Sequence, residues 1–162
     1  MFDNFFLFFT LLGNYALVWF GIAVFVASRQ QKRAKNIILS TTYAIAFSFL
    51  VTTLLKLLFQ TPRPISNFEF QTSNLCPADF SFPSGHASTS FAAAFVLAQF
   101  DPKRKWLYFV LAGLISYSRL YLSCHHVFDV VDGALLGTII ASVVLKIRLN
   151  QSKPVAKTKL TR

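Results

Sequence analysis

Charge is scarce in this 162-residue chain: Asp, Glu, Lys and Arg make up 14% of it, and only 6 residues are acidic. So little charge excludes both a disordered chain and an ordinary soluble surface, which needs far more. Two cysteines and three histidines are too few for a disulfide framework or a cysteine-rich metal site. No internal repeat or second domain is visible, and the length accommodates one domain. What the chain has in quantity is apolar surface, with 54% hydrophobic residues and 19 Phe, which points to an integral membrane protein. Its 16 basic residues leave a net charge of +10. In a soluble protein that balance indicates nucleic acid, but the placement of the charges here argues for a lipid bilayer and against a nucleic-acid partner.

Five apolar stretches run roughly from Phe5 to Ala27, Ile37 to Phe59, His86 to Phe100, Trp106 to Leu122 and Val127 to Ile147. At about 1.5 Å per helical residue the first two are long enough to cross a hydrocarbon core of about 30 Å. The third and fourth are shorter and carry Ser, Thr and Ala, so they are expected inside the bundle. The first lacks a basic leading region and is too long for the apolar part of a cleavable signal. The fold class expected is therefore all-α, a membrane-embedded bundle of about five transmembrane helices over residues 1–149 with a basic cytoplasmic tail at 150–162. Segment 28–36, the turn 101–105 and the stretch from Lys146 onward hold 13 of the 16 basic residues. Five crossings put all three on one side, which the positive-inside rule makes cytoplasmic. The N-terminus is then outside and the C-terminus inside.

Lys56, Arg63 and Arg119 fall at the opposite face. Each alone could be a cation snorkelling to the interface. Glu69, Asp79, His86, His125, His126, Asp129 and Asp132 collect at the same face, however, and opposed charges gathered at one membrane face form a candidate site. Three blocks of sequence carry it. In the first, Pro62 and Pro64 end the second helix, leaving Lys56 in its last turn and Arg63 on a stiff extended segment. Two such cations repel unless an anion lies between them, and Arg offers phosphate a bidentate fork.

The second block is Phe82-Pro83-Ser84-Gly85-His86. Ser84 is a natural N-cap, Gly85 leaves backbone N–H groups open to close approach, and a helix N-terminus favours phosphate. His86 falls in that first turn. The third block runs from Ser118-Arg119 to His125-His126 and Asp129. On one helix, His125 and Asp129 would share a face by their i, i+4 spacing. A carboxylate on one imidazole nitrogen makes the other a better nucleophile. His126 points away from that face and reads as a bystander, while Asp132 either meets the basic cluster or caps the helix.

These groups describe phosphoryl transfer through a phosphohistidine. His125 attacks phosphorus, Asp129 orients it, and His86 protonates the leaving oxygen and later assists water. Lys56, Arg63, Ser84, Gly85 and Arg119 hold the phosphate oxygens. No acidic cluster suits Mg²⁺, and the cations can stabilise the phosphoryl charge without a metal.

The strings Lys-x6-Arg-Pro, Pro-Ser-Gly-His and Ser-Arg-x5-His-x3-Asp, matched at all eleven specified positions from Lys56 to Asp129, resemble the three signatures of the type 2 phosphatidic acid phosphatase family. The resemblance implies a lipid phosphate or diphosphate hydrolase without metal or cofactor, built on a helical bundle, with the roles just given and His125 rather than His126 as nucleophile. It implies a bacterial inner (plasma) membrane with the site facing the periplasm or exterior. Undecaprenyl diphosphate is the slightly preferred substrate; phosphatidic acid, phosphatidylglycerophosphate and lipid A are the alternatives. Larger members usually have six spans, against five expected here. Two other classes compete. A soluble vanadate haloperoxidase has a similar anion site but not five apolar stretches, and a transporter or scaffold would spread its charges through the membrane depth.

Three further features complete the reading. Phe68, Phe70, Phe80 and Phe82 give loop 60–83 an aromatic character, so it is expected either to lie on the outer leaflet and guide a lipid chain or to pack as an ordinary loop. Cys76 and Cys124 both fall near the site, and the sequence leaves open whether they are joined. Gly133-x-x-x-Gly137 predicts close helix contact within the bundle.

Overall fold

The structure, a computed structural model, describes residues 2–64, 76 and 78–151. Among these, all regular structure is helical: α1 (Phe2–Gly13), α2 (Leu17–Arg29), α3 (Ala34–Phe59), α4 (Gly85–Phe100), α5 (Lys105–Tyr121) and α6 (Val127–Gln151), with 3-10 turns at Asn14–Ala16, Gln31–Arg33 and Pro102–Arg104. Pro62 keeps Thr61 out of the helical region, and α3 ends at Phe59, where Gln60 turns left-handed (φ 49°) and donates its N–H to the Lys56 carbonyl at 3.0 Å. Residues 150 and 151, expected in the tail, belong to α6. The rest of the tail, and Phe68, Glu69 and Phe70 of the aromatic loop, lie outside the described residues.

Two helices, Gln31–Phe59 (which takes in the preceding 3-10 turn) and Val127–Asn150, are long and apolar enough to cross a membrane. Asp3–Gly13 and Leu17–Arg29 count as a third only if they form one broken span. The first apolar stretch is thus not one straight helix: its halves meet at 66°. Gly13 is a weak helix former, and Ala16 sits in the left-handed region (φ 54°), a conformation that costs a non-glycine residue about 1–2 kcal/mol. The bend lets the two halves satisfy different partners. α1 packs on α5, where Thr10 bonds the Ser118 hydroxyl at 3.0 Å. α2 packs on α3 and α4, where Trp19 Nε1 donates to Ser90 Oγ at 3.1 Å.

α4 is the axis of the bundle. It packs against α3, α5 and α6, and its small residues Ala87, Ser88, Ala92, Ala93 and Ala94 are all buried. An apolar helix buried over most of its surface belongs in a core. The outward faces of the other helices are apolar as well: Leu58 and Phe128 are 73% and 76% exposed, as residues facing lipid are. The small pair on α6 works inside the bundle, as its spacing predicts. A Cβ on Gly133 would lie 2.6 Å from the Ser84 carbonyl oxygen, and one on Gly137 would lie 2.0 Å from that of Ser88. Backbone therefore meets backbone along α4 and α6, which fixes the start of α4 beside the start of α6.

That contact generates a test. Gly137→Ala should destabilise the protein by about 1–3 kcal/mol, the usual penalty for overpacking, while Gly21→Ala, whose Cβ would meet nothing within 4 Å, should not. Thermal unfolding in detergent reads both, and an unshifted midpoint for Gly137→Ala would contradict the backbone contact.

Candidate active site

Four local structures deliver the site residues to one end of the bundle. Lys56 is buried in the last turn of α3. Arg63 follows on the extended Thr61–Pro64 segment, which is clipped to its neighbour: Ser81 N–H donates to the Thr61 carbonyl at 2.9 Å, and Ser81 Oγ to the Pro62 carbonyl at 3.0 Å. Ser84 caps α4, its Oγ accepting from Ala87 N–H at 3.5 Å. In front of this helix N-terminus the space is open, since a Cβ on Gly85 would meet only Thr52, at 3.8 Å.

The end of α5 places the third group. Cys124 N–H donates to the Arg119 carbonyl (3.0 Å) and Ser123 N–H to the Leu120 carbonyl (2.9 Å), with Ser123 left-handed at φ 54°. This is the Schellman arrangement, and it reverses the chain so that His125 lies just beyond the helix. His125 is thus not on the helix with Asp129, as the spacing assumed; it sits in the turn before α6. The contact survives because Asp129, in the first turn of α6, reaches back. Its Oδ2 accepts from His126 N–H at 2.8 Å, as a first-turn acid does when it caps its own helix, and lies 3.4 Å from His125 Nδ1.

The contacts form a continuous chain. Arg63 Nη1 reaches His125 Nε2 at 3.3 Å and the Cys124 carbonyl at 2.6 Å. Because a guanidinium can only donate, His125 Nε2 must carry its lone pair, and the ring proton is at Nδ1, facing Asp129. Burial, opposed by the Asp129 hydrogen bond and reinforced by the charges of Arg63, Arg119 and Lys56, lowers the His125 pKa to about 4. At neutral pH the imidazole is therefore uncharged, with its free lone pair toward Arg63. His126 is exposed on the other side.

Asp79, one of several acids at this face in the sequence, proves to be the link between the two cations. Its carboxylate accepts from Lys56 Nζ at 2.7 Å and from Arg63 Nη2. Burial would raise the pKa of Asp79, but the hydrogen bonds from Lys56 and Arg63 outweigh it and hold the carboxyl below its ordinary range. Cys76, three residues earlier, is joined to Cys124 in a disulfide with Cα atoms 5.5 Å apart, so the segment bearing Asp79 is tied to the residue before His125. Asp132 is exposed and makes no ion pair among the described residues.

Arg119 and His86 are held from an element that the motif reading left without a role. Arg119 is fully buried and its Nη1 donates to Thr10 Oγ1 at 2.7 Å. His86 Nε2 bonds Asn14 Oδ1 at 3.1 Å. A polar amide next to glycine in the middle of an otherwise apolar run was the available signal for this contact. α4 and α6 are locked together at the site by Ser84 N–H, which donates to the Asp129 carbonyl at 2.9 Å. The arrangement brings three cations, a capped helix N-terminus and two imidazoles together at one end of an apolar bundle.

Comparison with known proteins agrees with this fold. LpxE of Aquifex aeolicus, known from a crystal structure, superposes with a TM-score of 0.72 at 32% identity, over 90% of this chain and 86% of that one. The undecaprenyl-diphosphatase of Sulfolobus acidocaldarius is 38% identical over 82 residues, 50% of this chain and 39% of its own length. The lipid A 4'-phosphatase of Bacteroides thetaiotaomicron is 38% identical over 79 residues, 46% of this chain and 34% of its own. The chain thus aligns with less than two fifths of either of these curated relatives. Residues 37–153, which include every motif position from Lys56 to Asp129, match the family model described as the PAP2 superfamily. On that match and the shared fold, the chain belongs to the PAP2 superfamily.

Proposed function

We propose that this chain is a metal-independent membrane lipid phosphatase that works at the outer membrane face through a phosphohistidine on His125. The observation that carries the reading is the setting of that ring: buried, with Nδ1 against Asp129 and Nε2 against a guanidinium that phosphate can engage. The incoming phosphate takes over the Lys56 and Arg63 hydrogen bonds that Asp79 holds in the free protein. Its remaining oxygens meet Arg119, the Ser84 hydroxyl and the open N–H groups at the start of α4 from Gly85 onward. His125 Nε2 then forms a bond to phosphorus as the bond to the leaving oxygen breaks. That oxygen keeps the electron pair and takes a proton from His86. Asp129 stabilises the positive charge that develops on the His125 ring. In the second half-reaction water attacks phosphorus, its proton passes to His86, the N–P bond breaks, and inorganic phosphate leaves.

The preferred substrate in this proposal is undecaprenyl diphosphate, supported by the name of the Sulfolobus relative. The Bacteroides relative supports a second reading, a phosphorylated lipid such as lipid A; phosphatidic acid and phosphatidylglycerophosphate belong to the same panel. We place the N-terminus outside and the C-terminus in the cytoplasm of a bacterial plasma membrane, with the bent α1–α2 pair, α3, α4, α5 and α6 as five crossings. The basic residues of the 28–36 and 101–105 segments and of the C-terminal stretch support this orientation. So does the Cys76–Cys124 disulfide, since such bonds persist in oxidising compartments.

The assay is phosphate release from these four lipids by the purified protein in detergent with EDTA. Release should fall by at least about a thousandfold in His125→Ala, of the order general-base and nucleophile losses produce, and His126→Ala should keep wild-type rates. Equal losses from both substitutions, or turnover only after Mg²⁺ is restored, would refute the mechanism. For orientation, single cysteines placed by Asn67→Cys and Asn150→Cys are treated in intact cells with an impermeant thiol reagent. Only the first should label; the reverse pattern would invert the topology.

A further inference from the structure

We infer that Asn14, at the break between α1 and α2, is a positioning residue for His86, so that the N-terminal helix pair helps run the proton transfers of the site. The inference rests on the phosphatase reading above and extends it to a segment outside the 37–153 family match. Three observations carry it. His86 Nε2 lies 3.1 Å from Asn14 Oδ1. Gly13 lies so close to the same ring that a Cβ there would be 2.6 Å from both His86 Cδ2 and Ile115 Cγ2, so the approach of this turn to the imidazole requires glycine. The turn is also strained: Ala16 is left-handed in a run of residues apolar enough to have continued as one helix. Strain that persists at a contact with a reacting group is a sign of function.

The chemistry needs such a contact. His86 must donate a proton to the leaving oxygen in one half-reaction and accept one from water in the next, without its ring turning over in between. Asn14 Oδ1 accepts the Nε2 proton in both charge states and leaves Nδ1 for the transferred proton. A neutral amide does this without pinning the imidazolium, which a carboxylate in its place would do. The charged and titratable groups that face His86 from the neighbouring helices and turns are Arg119, His125 and Lys56, the Thr10 backbone carbonyl also bonds the ring, and no carboxylate among the described residues does. Thr10, one turn before Asn14, holds Arg119, so the short stretch from Thr10 to Asn14 serves two of the groups proposed to face phosphate.

The test uses Asn14→Ala and Asn14→Asp in the full chain, with two readouts. The first needs no turnover: ¹⁵N spectra of the histidine rings should show His86 as the Nε2–H form in wild type and as a mixture of tautomers in Asn14→Ala. An identical His86 signal in both proteins would overturn the inference even if the phosphatase reading failed. The second is the pH profile of kcat. Asn14→Ala should lose about tenfold in kcat with KM nearly unchanged, a part of the hundredfold or more that a general acid contributes. Asn14→Asp, which keeps the Nε2 acceptor but pins the imidazolium, should lose less kcat than Asn14→Ala and move the alkaline limb upward by about one unit. Equal losses in the two variants with an unmoved limb would reduce Asn14 to packing and overturn its positioning role.

Discussion

Three cations held at one end of an apolar bundle repel one another and are poorly solvated, and the rest of the structure answers that constraint. Each of Lys56, Arg63 and Arg119 is given a partner that keeps it in place, and in the proposed mechanism phosphate takes over from that partner. Asp79 bridges the first two; Thr10 holds the third. Breaking a buried charge–partner contact without replacement is expensive, whereas exchanging one anion for another is not. A carboxylate that spans the two cations therefore holds the proposed anion site together. It also explains why the segment carrying Asp79 is tied twice, by the Ser81 clip and by the disulfide to Cys124.

Precision at the site comes from backbone contact more than from side chains. Gly133 and Gly137 let α6 lie directly on α4, and the Ser84 N–H to Asp129 carbonyl bond then sets the capped start of α4 against the first turn of α6. The Schellman turn after α5 returns the chain so that His125 meets both Asp129 and Arg63. The packing of α6 on α4 and the Ser84–Asp129 bond are backbone contacts, so no side-chain rotamer loosens that part of the site.

Much of this was legible in the residues. Apolar stretch lengths located the helices, Pro62 marked the end of α3, Ser84 capped α4 as its type predicts, and the spacing of Gly133 and Gly137 foretold the close contact. Spacing also paired His125 with Asp129, but for a reason that the structure corrects: Asp129 reaches back from α6 to a turn residue rather than along a shared helix face. The bend at Asn14 was hidden because hydrophobicity records length and not direction. Asp79 was visible as one acid among several at the face, and only three-dimensional proximity makes it the bridge. Whether Cys76 meets Cys124 depends on a loop path that composition does not encode.

In the proposed mechanism phosphorus is bonded for part of each turnover to Nε2 of His125. Rapid quenching in alkaline denaturant during turnover of a lipid labelled with ³²P in its terminal phosphate, followed by peptide mapping, tests it most directly. An acid-labile, alkali-stable label on the peptide carrying His125, and on no other, is the result expected. Full turnover with no trapped label, or a label on His86 or His126, would contradict it.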